Sequence, residues 1–340
     1  MAIQTRTLGK NGPAVPALGL GLMSIGGIYG SAPSDVERTA LLDHAHAIGE
    51  TFWDTADVYY DSEDAVGLWN KSNPEKRKDI FLATKFAIGM NPKTGAQLLR
   101  SDPEYVKEAC EKSLKRLQTH YIDLYYCHRV DGTTPIEKTV EAMVELKKQG
   151  KIRHLGLSEV SAATLRRAHA VHPIAAIQLE YSPFAVDIEE PEINLFETAR
   201  ELGVAIVAYS PIGRGLLSGK YKSHEDITDP FLSLLPRFSK ENFPKIQQVI
   251  TTIESIAAKK GSSPAQVAIA WVLSRGENLF AIPGTRSIKY LDENFASLEV
   301  ELSPGEIGLI TKTVNSSKLD GKRYPEGFPA AYEFGETPAL

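Results

Sequence analysis

Eight short apolar segments, each followed by a stretch with helical periodicity, constrain the fold of this chain more than any other sequence feature. Such segments, when apolar throughout and rich in β-branched and aromatic residues, are typical of parallel strands covered on both faces. Eight strand–helix units without a break in composition predict an α/β fold, a closed (β/α)8 TIM barrel formed as one domain by residues 1–340. The predicted strands are Val15–Leu20, Thr51–Asp54, Ile80–Lys85, Ile122–His128, His154–Ser158, Ala175–Glu180, Val204–Tyr209 and Leu279–Pro283.

Helix-start signals lie between the predicted strands. Two segments have the pattern of a capping box, in which a serine hydroxyl and a side chain three residues later bond free backbone amides. Pro135 and Ser161 indicate the starts of two further helices. The two capping-box segments are Ser101-Asp102-Pro103-Glu104 and Ser263-Pro264-Ala265-Gln266.

Three stretches fall outside the repeating unit. Turn signals in residues 1–16 predict an N-terminal hairpin at the floor of the barrel. Residues 211–243 form a long loop after the seventh strand, which we expect to cover a bound cofactor. The tail after Leu319 is irregular, and we expect it to fold over the site.

A doubly wound nucleotide-binding fold is the alternative architecture. Gly19-Leu20-Gly21-Leu22-Met23-Ser24 and Gly213-Arg214-Gly215-Leu216-Leu217-Ser218 come near the G-x-G-x-x-G fingerprint. Both end in serine and lack the full spacing, so this signal is weak. The barrel accounts for the whole chain better.

Charge and composition exclude several functions. A net charge of −5 offers no basic field for nucleic acid or an anionic membrane. No apolar run approaches the length of a membrane span, and the first residues lack a signal-peptide core, so we expect a cytoplasmic protein. The sequence does not indicate its oligomeric state. The two cysteines, Cys110 and Cys127, are expected to be buried thiols. Asp43-His44-Ala45-His46 has metal-ligand residues, but their helical spacing does not converge, so no metal is predicted.

Four ionisable residues lie at the ends of adjacent predicted strands, where barrel enzymes have their active sites. Asp54 ends the second strand and Tyr59 follows it, while Lys85 ends the third strand and His128 the fourth. Lys85 is expected to lower the pKa of the Tyr59 phenol, which could then give a proton to a carbonyl oxygen. Each residue also has a purely structural interpretation, because buried Lys–Asp pairs and core histidines are common.

The same segments resemble the aldo-keto reductase superfamily, with the nearest likeness to its YakC-type fungal branch. The resemblance implies a (β/α)8 barrel and NADPH-dependent reduction of a small carbonyl compound, with Tyr59 as proton donor, Asp54 and Lys85 as its tuning pair and His128 as the orienting residue. The motifs run in order from residue 5 to residue 315: Asp54-Thr55-Ala56-Asp57-Val58-Tyr59, Ala83-Thr84-Lys85, Asp123-Leu124-Tyr125-Tyr126-Cys127-His128-Arg129, Gly156-Leu157-Ser158-Glu159, Gln178-Leu179-Glu180-Tyr181-Ser182-Pro183, Ala208-Tyr209-Ser210-Pro211-Ile212-Gly213-Arg214-Gly215 and Ile282-Pro283-Gly284-Thr285.

The resemblance also implies which residues bind NADPH. Tyr209 would stack on the nicotinamide, and Ser158 and Gln178 would hold its carboxamide. The residues implied for the rest of the cofactor are Met23, Ser210, Pro211, Gly213, Gly215, Leu216 and Ser218, then Gly284, Thr285, Arg286 and Lys289 at the phosphates, and Glu293 and Asn294 at the adenine. The cationic Arg286 and Lys289 favour NADPH over NADH through its 2′-phosphate.

The chain departs from the superfamily pattern at one residue, and two alternative functions stay open. Many members of the superfamily have glycine after the catalytic tyrosine, whereas this chain has Tyr60, whose ring is expected to narrow or reshape the pocket. A redox-sensing regulatory subunit with slow turnover is one alternative function. A barrel isomerase or hydrolase that uses Asp54 and His128 as acid and base is the other.

Overall fold

A closed barrel of parallel strands forms the centre of the molecule. The computed structural model describes residues 4–28, 31–90 and 97–340. Eight strands follow one another around one sheet in chain order, from β3 to β12. The strands are β1 (Thr5–Thr7), β2 (Ala14–Pro16), β3 (Leu20–Gly21), β4 (Phe52–Asp54), β5 (Phe81–Phe86), β6 (Ile88–Met90), β7 (Gln97–Leu99), β8 (Ile122–Cys127), β9 (Ile152–Ser158), β10 (Ala176–Glu180), β11 (Ala205–Tyr209) and β12 (Leu279–Ala281).

The first and last strands of the sheet meet and close it. The Gly19 amide donates to the Ala281 carbonyl at 2.8 Å, and the Ala281 amide donates to the Ala17 carbonyl at 3.0 Å. Parallel bridges join Leu18 to Ala281 and Gly21 to Gly284. The predicted (β/α)8 TIM barrel is therefore confirmed.

Helices return the chain between the barrel strands. A helix comes after each of the eight barrel strands before the next one begins, and α7 and α10 are additional helices that pack against each other. The helices are α1 (Asp35–Ile48), α2 (Ser62–Ser72), α3 (Pro103–Arg116), α4 (Ile136–Lys148), α5 (Ala162–Val171), α6 (Leu195–Leu202), α7 (Phe243–Lys260), α8 (Pro264–Ser274), α9 (Ile288–Phe295) and α10 (Pro304–Ser316).

The helix-start predictions hold at three places and fail at one. Ser161 caps α5, Pro135 precedes α4, and Ser263 caps α8 within a complete capping box. The box predicted at Ser101 is wrong, because Asp102 is the cap of α3 and accepts the Tyr105 amide at 3.0 Å. A carboxylate one residue nearer the helix satisfies that amide, and the Ser101 hydroxyl instead accepts the Asp131 amide.

The N-terminal hairpin closes the end of the barrel opposite the strand carboxyl ends. Strands β1 and β2 pair antiparallel, and Leu8 between them is fully buried in the barrel interior. Arg6 donates to the carbonyls of Gly276 and Leu279, each at 2.8 Å, just before and at the start of β12. The hairpin at the barrel floor is therefore confirmed.

The predicted first strand, Val15–Leu20, is wrong in its bounds. Val15 belongs to hairpin strand β2, where it pairs with Arg6, and the barrel strand is Leu20–Gly21. Residues 15–20 are apolar and buried throughout. Hydrophobicity therefore does not reveal where the chain leaves the hairpin and enters the barrel.

Buried apolar side chains form two clusters, one outside the barrel strands and one inside the barrel. Outside the strands, a large cluster packs between the sheet and the helices and includes the buried, free Cys110 and Cys127. Inside, a smaller cluster fills the lower barrel beneath the strand carboxyl ends. Its buried members are Leu8, Val15, Phe52, Ala83, Leu124, Tyr126, Ala176, Ala205, Val207, Phe280 and Ile282.

Membrane spans and metal clusters are not found among the described residues. No helix in residues 4–28, 31–90 and 97–340 is long and apolar enough to cross a membrane. The same ranges contain no cluster of His, Cys, Asp and Glu side chains that could hold a metal ion. The two histidines of α1 contact separate acidic residues, His44 with Asp292 and His46 with Asp79.

Among the described residues, Glu50 has a buried carboxyl group without a hydrogen-bond partner. Glu50 lies between α1 and β4, and both of its carboxyl oxygens lack a hydrogen-bond partner in the described part of the chain. Its backbone is held in place, because its carbonyl accepts the Trp53 indole N–H at 2.8 Å. Burial, together with the nearby Asp292, raises the pKa of Glu50 to about 8.

Glu50 should therefore make the stability of the protein depend on pH. The folded chain retains a proton that the unfolded chain releases near pH 4.5, so this contribution is complete at low pH and is lost as the pH rises toward 8. We expect Glu50→Gln to remove a fall of up to about 1.4 kcal/mol per pH unit in the free energy of unfolding. Urea unfolding at several pH values measures this pH dependence for the wild type and for Glu50→Gln. Glu301→Gln, which changes an exposed glutamate, is the control and should leave the pH dependence unchanged. Parallel profiles for Glu50→Gln and the wild type would contradict this assignment.

Candidate active site

The structure brings the four predicted catalytic residues together at the carboxyl ends of β4, β5 and β8. The fully buried Lys85 Nζ donates to Asp54 Oδ1 at 2.5 Å and to the Thr55 carbonyl at 2.7 Å. The same ammonium reaches Tyr59 Oη at 3.4 Å. The rings of Tyr59 and His128 meet edge to face, with centroids 5.8 Å apart.

The pKa of Tyr59 differs from the sequence-based expectation. Burial raises the pKa of the phenol, and nearby Asp54 raises it further, whereas Lys85 lowers it. The net direction is upward, so the predicted net lowering is wrong. Lys85 lowers the pKa as predicted, but the loss of hydration that a buried phenolate suffers has the larger effect. The Lys85 ammonium also donates to Asp54 and to the Thr55 carbonyl, so it is not devoted to Tyr59 alone. Tyr59 is consequently a neutral phenol, the form that a proton donor requires.

His128 is held in the neutral form. Burial lowers its pKa well below the ordinary value, and the cations Arg129 and Lys85 lower it further. Its Nδ1 is buried without a hydrogen-bond partner in the described residues. A neutral imidazole has one N–H donor and one acceptor nitrogen, so His128 can donate to an oxygen without giving up its proton.

Arg116 of α3 fixes the loop that carries Tyr59. Its guanidinium donates to the Asp57 carbonyl and to Glu63 Oε2, each at 3.0 Å, and to the Tyr60 carbonyl. Tyr60 has a φ of 45°, a left-handed backbone conformation that glycine adopts more readily than tyrosine. The Tyr60 side chain is 69 % exposed, so most of its ring surface faces solvent. Its expected effect on the shape of the pocket stays a prediction.

The side chains predicted to hold the nicotinamide lie at or near the ends of the next three strands, with Gln178 two residues before the end of β10. Ser158 and Gln178 are paired neighbours on β9 and β10, and Tyr209 ends β11. Gln178 Nε2 donates to Asp54 Oδ2 at 2.8 Å, a contact that sequence reasoning missed. The Tyr209 hydroxyl donates to Glu159 Oε1 at 2.9 Å, which fixes the ring at the strand end.

The loop after β11 has the backbone of a close-approach turn. Ser210, Gly213, Arg214 and Gly215 all have positive φ, between 52° and 94°. A Cβ on Gly213 would lie 2.5 Å from the Phe184 ring, so glycine is required there. The Ser218 hydroxyl is buried without a partner in the described chain, and its free bonding capacity fits a ligand oxygen.

The remaining residues predicted to bind the cofactor surround this loop. Pro211 and Leu216 are buried in the loop itself, and Met23 lies in the turn after β3. Beyond β12, Gly284, Arg286 and Lys289 are exposed, Glu293 is half-buried, and Thr285 and Asn294 are buried. Arg286 donates to the Ser31 carbonyl at 3.0 Å, which holds it beside the segment after β3.

Comparison with known proteins identifies the family. Residues 17–315 match the aldo/keto reductase family. The chain belongs to this family. It is 51 % identical over 329 residues to aldo-keto reductase str7 of Strobilurus tenacellus, with 95 % of each chain covered. It is 44 % identical over 343 residues to the aldo-keto reductase yakc [NADP(+)] of Schizosaccharomyces pombe, covering 100 % of this chain and 99 % of that one.

Solved structures of the family agree with the fold. A glycerol dehydrogenase from Gluconobacter oxydans is 29 % identical, with a TM-score of 0.82 over 97 % of this chain and 100 % of that one. The thermostable aldo-keto reductase Tm1743, solved with the inhibitor epalrestat, is 31 % identical, with a TM-score of 0.73 over 92 % of this chain and 100 % of that one. The chain is therefore an oxidoreductase of the kind that acts on carbonyl and alcohol groups.

In this family member, the C-terminal tail lies at the strand ends, as predicted, and binds there through a buried ion pair. Arg323 donates to Glu159 Oε1 at 2.9 Å and Oε2 at 2.6 Å, and both side chains are buried. A second pair, Arg214 with Glu180 at 2.9 Å, lies beside it. Sequence reasoning missed the Arg323–Glu159 pair because nothing in the tail marks Arg323 as buried. It also missed the Arg214–Glu180 pair, although both residues lie in motifs shared with the superfamily.

Removing Arg323 should leave the buried Glu159 carboxylate without its ion-pair partner. Burial acts to raise the pKa of Glu159, but Arg323 outweighs it and holds that pKa below the ordinary value. We expect Arg323→Met to lower the free energy of unfolding by about 3–5 kcal/mol, measured by urea denaturation. The double variant Glu159→Gln with Arg323→Met should be more stable than Arg323→Met alone, because a neutral amide can still accept from Tyr209. Equal stability of the two variants would contradict the assignment.

Proposed function

We propose that this protein reduces an aldehyde or ketone to an alcohol with NADPH, using Tyr59 as general acid. The observation that carries the proposal is the Tyr59 phenol, 3.4 Å from the buried Lys85 ammonium and edge to face with the neutral His128. Family membership supports the reaction class, and the name of the Schizosaccharomyces pombe relative, which specifies NADP(+), supports the cofactor.

Each residue of the cluster has one chemical task. NADPH, when bound, supplies the hydride. His128 donates a hydrogen bond to the substrate oxygen and orients it, and Tyr59 gives its proton to the same oxygen as negative charge develops there. Lys85 stabilises the phenolate that remains, while Asp54 keeps Lys85 charged and in place.

The chain offers a consistent set of groups for the cofactor. Tyr209 would stack on the nicotinamide, with Ser158 and Gln178 at its carboxamide. The Ser218 hydroxyl, which has no partner among the described residues, would bind the pyrophosphate together with backbone amides of the loop after β11. Arg286 and Lys289 would bind the 2′-phosphate, with Glu293 and Asn294 at the adenine.

The alternatives fit these observations less well. An isomerase or hydrolase would need a free carboxylate at Asp54, but its two oxygens accept from Lys85 and Gln178. A regulatory subunit draws no support from the relatives and structures described above, whose names are those of reductases and a dehydrogenase.

Replacing the Tyr59 hydroxyl tests the proton donor. We expect Tyr59→Phe to lower kcat about 100-fold or more for a reducible aldehyde, the typical contribution of a general acid. NADPH affinity should remain unchanged, because the ring itself stays in place. Steady-state rates by NADPH absorbance and affinity by fluorescence titration measure the two quantities. The matched control is Tyr60→Phe, which alters the exposed neighbour and should leave kcat unchanged; an unchanged kcat in Tyr59→Phe refutes the mechanism.

Replacing Arg286 tests cofactor choice. The 2′-phosphate should accept charge-assisted bonds from the Arg286 guanidinium, and NADH lacks that group. We expect Arg286→Ala to weaken NADPH binding about ten- to hundredfold and to leave NADH binding nearly unchanged. Fluorescence titration with both cofactors gives the comparison. An equal loss for the two cofactors would show that Arg286 does not distinguish them.

A further inference from the structure

Arg129 is a buried arginine at the proposed active site with most of its donors unused. It follows His128 directly and is 4 % exposed. Its Nη1 donates to the His128 carbonyl at 2.6 Å and to Ser158 Oγ at 3.2 Å. Its Nε is buried without a partner, and neither Nε nor Nη2 donates a hydrogen bond within residues 4–28, 31–90 and 97–340.

Arg129 differs from the other buried cations at this end of the barrel. Lys85, Arg214 and Arg323 each form a salt bridge with a carboxylate, at 2.5, 2.9 and 2.6 Å. No carboxylate in the part of the chain described here lies within salt-bridge distance of Arg129. The Glu159 carboxylate raises the pKa of Arg129 from a distance, but its own hydrogen bonds from side chains come from Arg323 and Tyr209. Because burying a cation without a directly bonded anion is costly, a ligand oxyanion would complete this position.

The surroundings of Arg129 join it to the reacting centre. Its hydrogen-bond partners belong to His128, the proposed orienting residue, and to Ser158, the proposed carboxamide ligand. Tyr332 of the C-terminal tail covers the guanidinium, with its ring centroid 5.2 Å away. The positive charge also lowers the pKa of both Tyr59 and His128, which places it within electrostatic reach of the two side chains.

We propose that Arg129 binds a compact oxyanion of the substrate, a carboxylate or a phosphate carried a few atoms from the reacting carbonyl. The inference rests on the proposed carbonyl reduction and narrows its substrate class. Unused N–H groups on two nitrogens of a planar guanidinium can bind such an oxyanion bidentately. Binding the anion there would hold the adjacent carbonyl against His128 and Tyr59.

Matched pairs of aldehydes test the inference. The 2-, 3- and 4-carboxybenzaldehydes are compared with their methyl esters, which have the same frame without the charge. Glyceraldehyde 3-phosphate is compared with glyceraldehyde, so that carboxylate and phosphate are distinguished. We expect at least one anionic aldehyde to exceed its neutral partner about tenfold or more in kcat/KM, the size of one charge-assisted contact. Which of the three carboxybenzaldehydes has the highest kcat/KM indicates how far the bound carboxylate lies from the reacting carbonyl.

Variants then assign the preference to Arg129. Arg129→Met should lose about tenfold or more in kcat/KM on the preferred anionic aldehyde and less than about threefold on its neutral partner. Arg129→Lys, which retains the charge, should keep part of the preference. Arg200→Met, which removes an exposed arginine of α6, is the control and should change neither value. NADPH affinity is measured for each variant by fluorescence titration.

The outcomes separate this inference from the proposed function. A wild-type enzyme that reduces no aldehyde of either kind refutes the carbonyl reduction and the inference with it. Equal kcat/KM for acids and neutral partners refutes the inference alone, and this measurement needs no variant to fold. An equal loss of Arg129→Met on both members of a pair, or weaker NADPH binding without a change in charge preference, would show that Arg129 only orients Ser158.

Discussion

The arrangement of the site depends on the buried pair of Lys85 and Asp54. A fully buried ammonium is tolerated because Asp54 Oδ1 and the Thr55 carbonyl accept from it. The second Asp54 oxygen accepts from Gln178, a residue of β10 on a different part of the barrel wall. One carboxylate thus ties three strands together across the mouth of the barrel, and Tyr59 lies against that fixed charge.

The sequence predicted that these side chains meet, because parallel barrel strands place their carboxyl ends at one rim. Asp54, Lys85 and His128 could therefore be brought together from strand positions alone. The pKa of Tyr59 could not be predicted in this way, because its direction depends on how completely the neighbouring chain excludes water. The same reason explains the error at Val15, where two buried segments of different pairing have the same apolar pattern.

The contacts of the C-terminal tail were beyond sequence reasoning. Glu159 and Arg323 are 164 residues apart in the chain, and an arginine in an irregular, Pro-rich segment ordinarily lies in solvent. Their pairing connects the tail to Tyr209, because the same Glu159 oxygen accepts from the Tyr209 hydroxyl and from Arg323. The proposed nicotinamide platform and the tail are therefore parts of one hydrogen-bonded unit.

Closure of the barrel also has a consequence for how the chain folds. The edge at Ala17 and Gly19 receives its partner only when Ala281 arrives, and the floor hairpin bonds through Arg6 to the same late segment. A nascent chain still short of β12 therefore carries an open sheet edge and an incompletely covered interior. Such long-range pairing slows folding and leaves a transient surface prone to self-association, so this protein depends on its last strand for protection of its first.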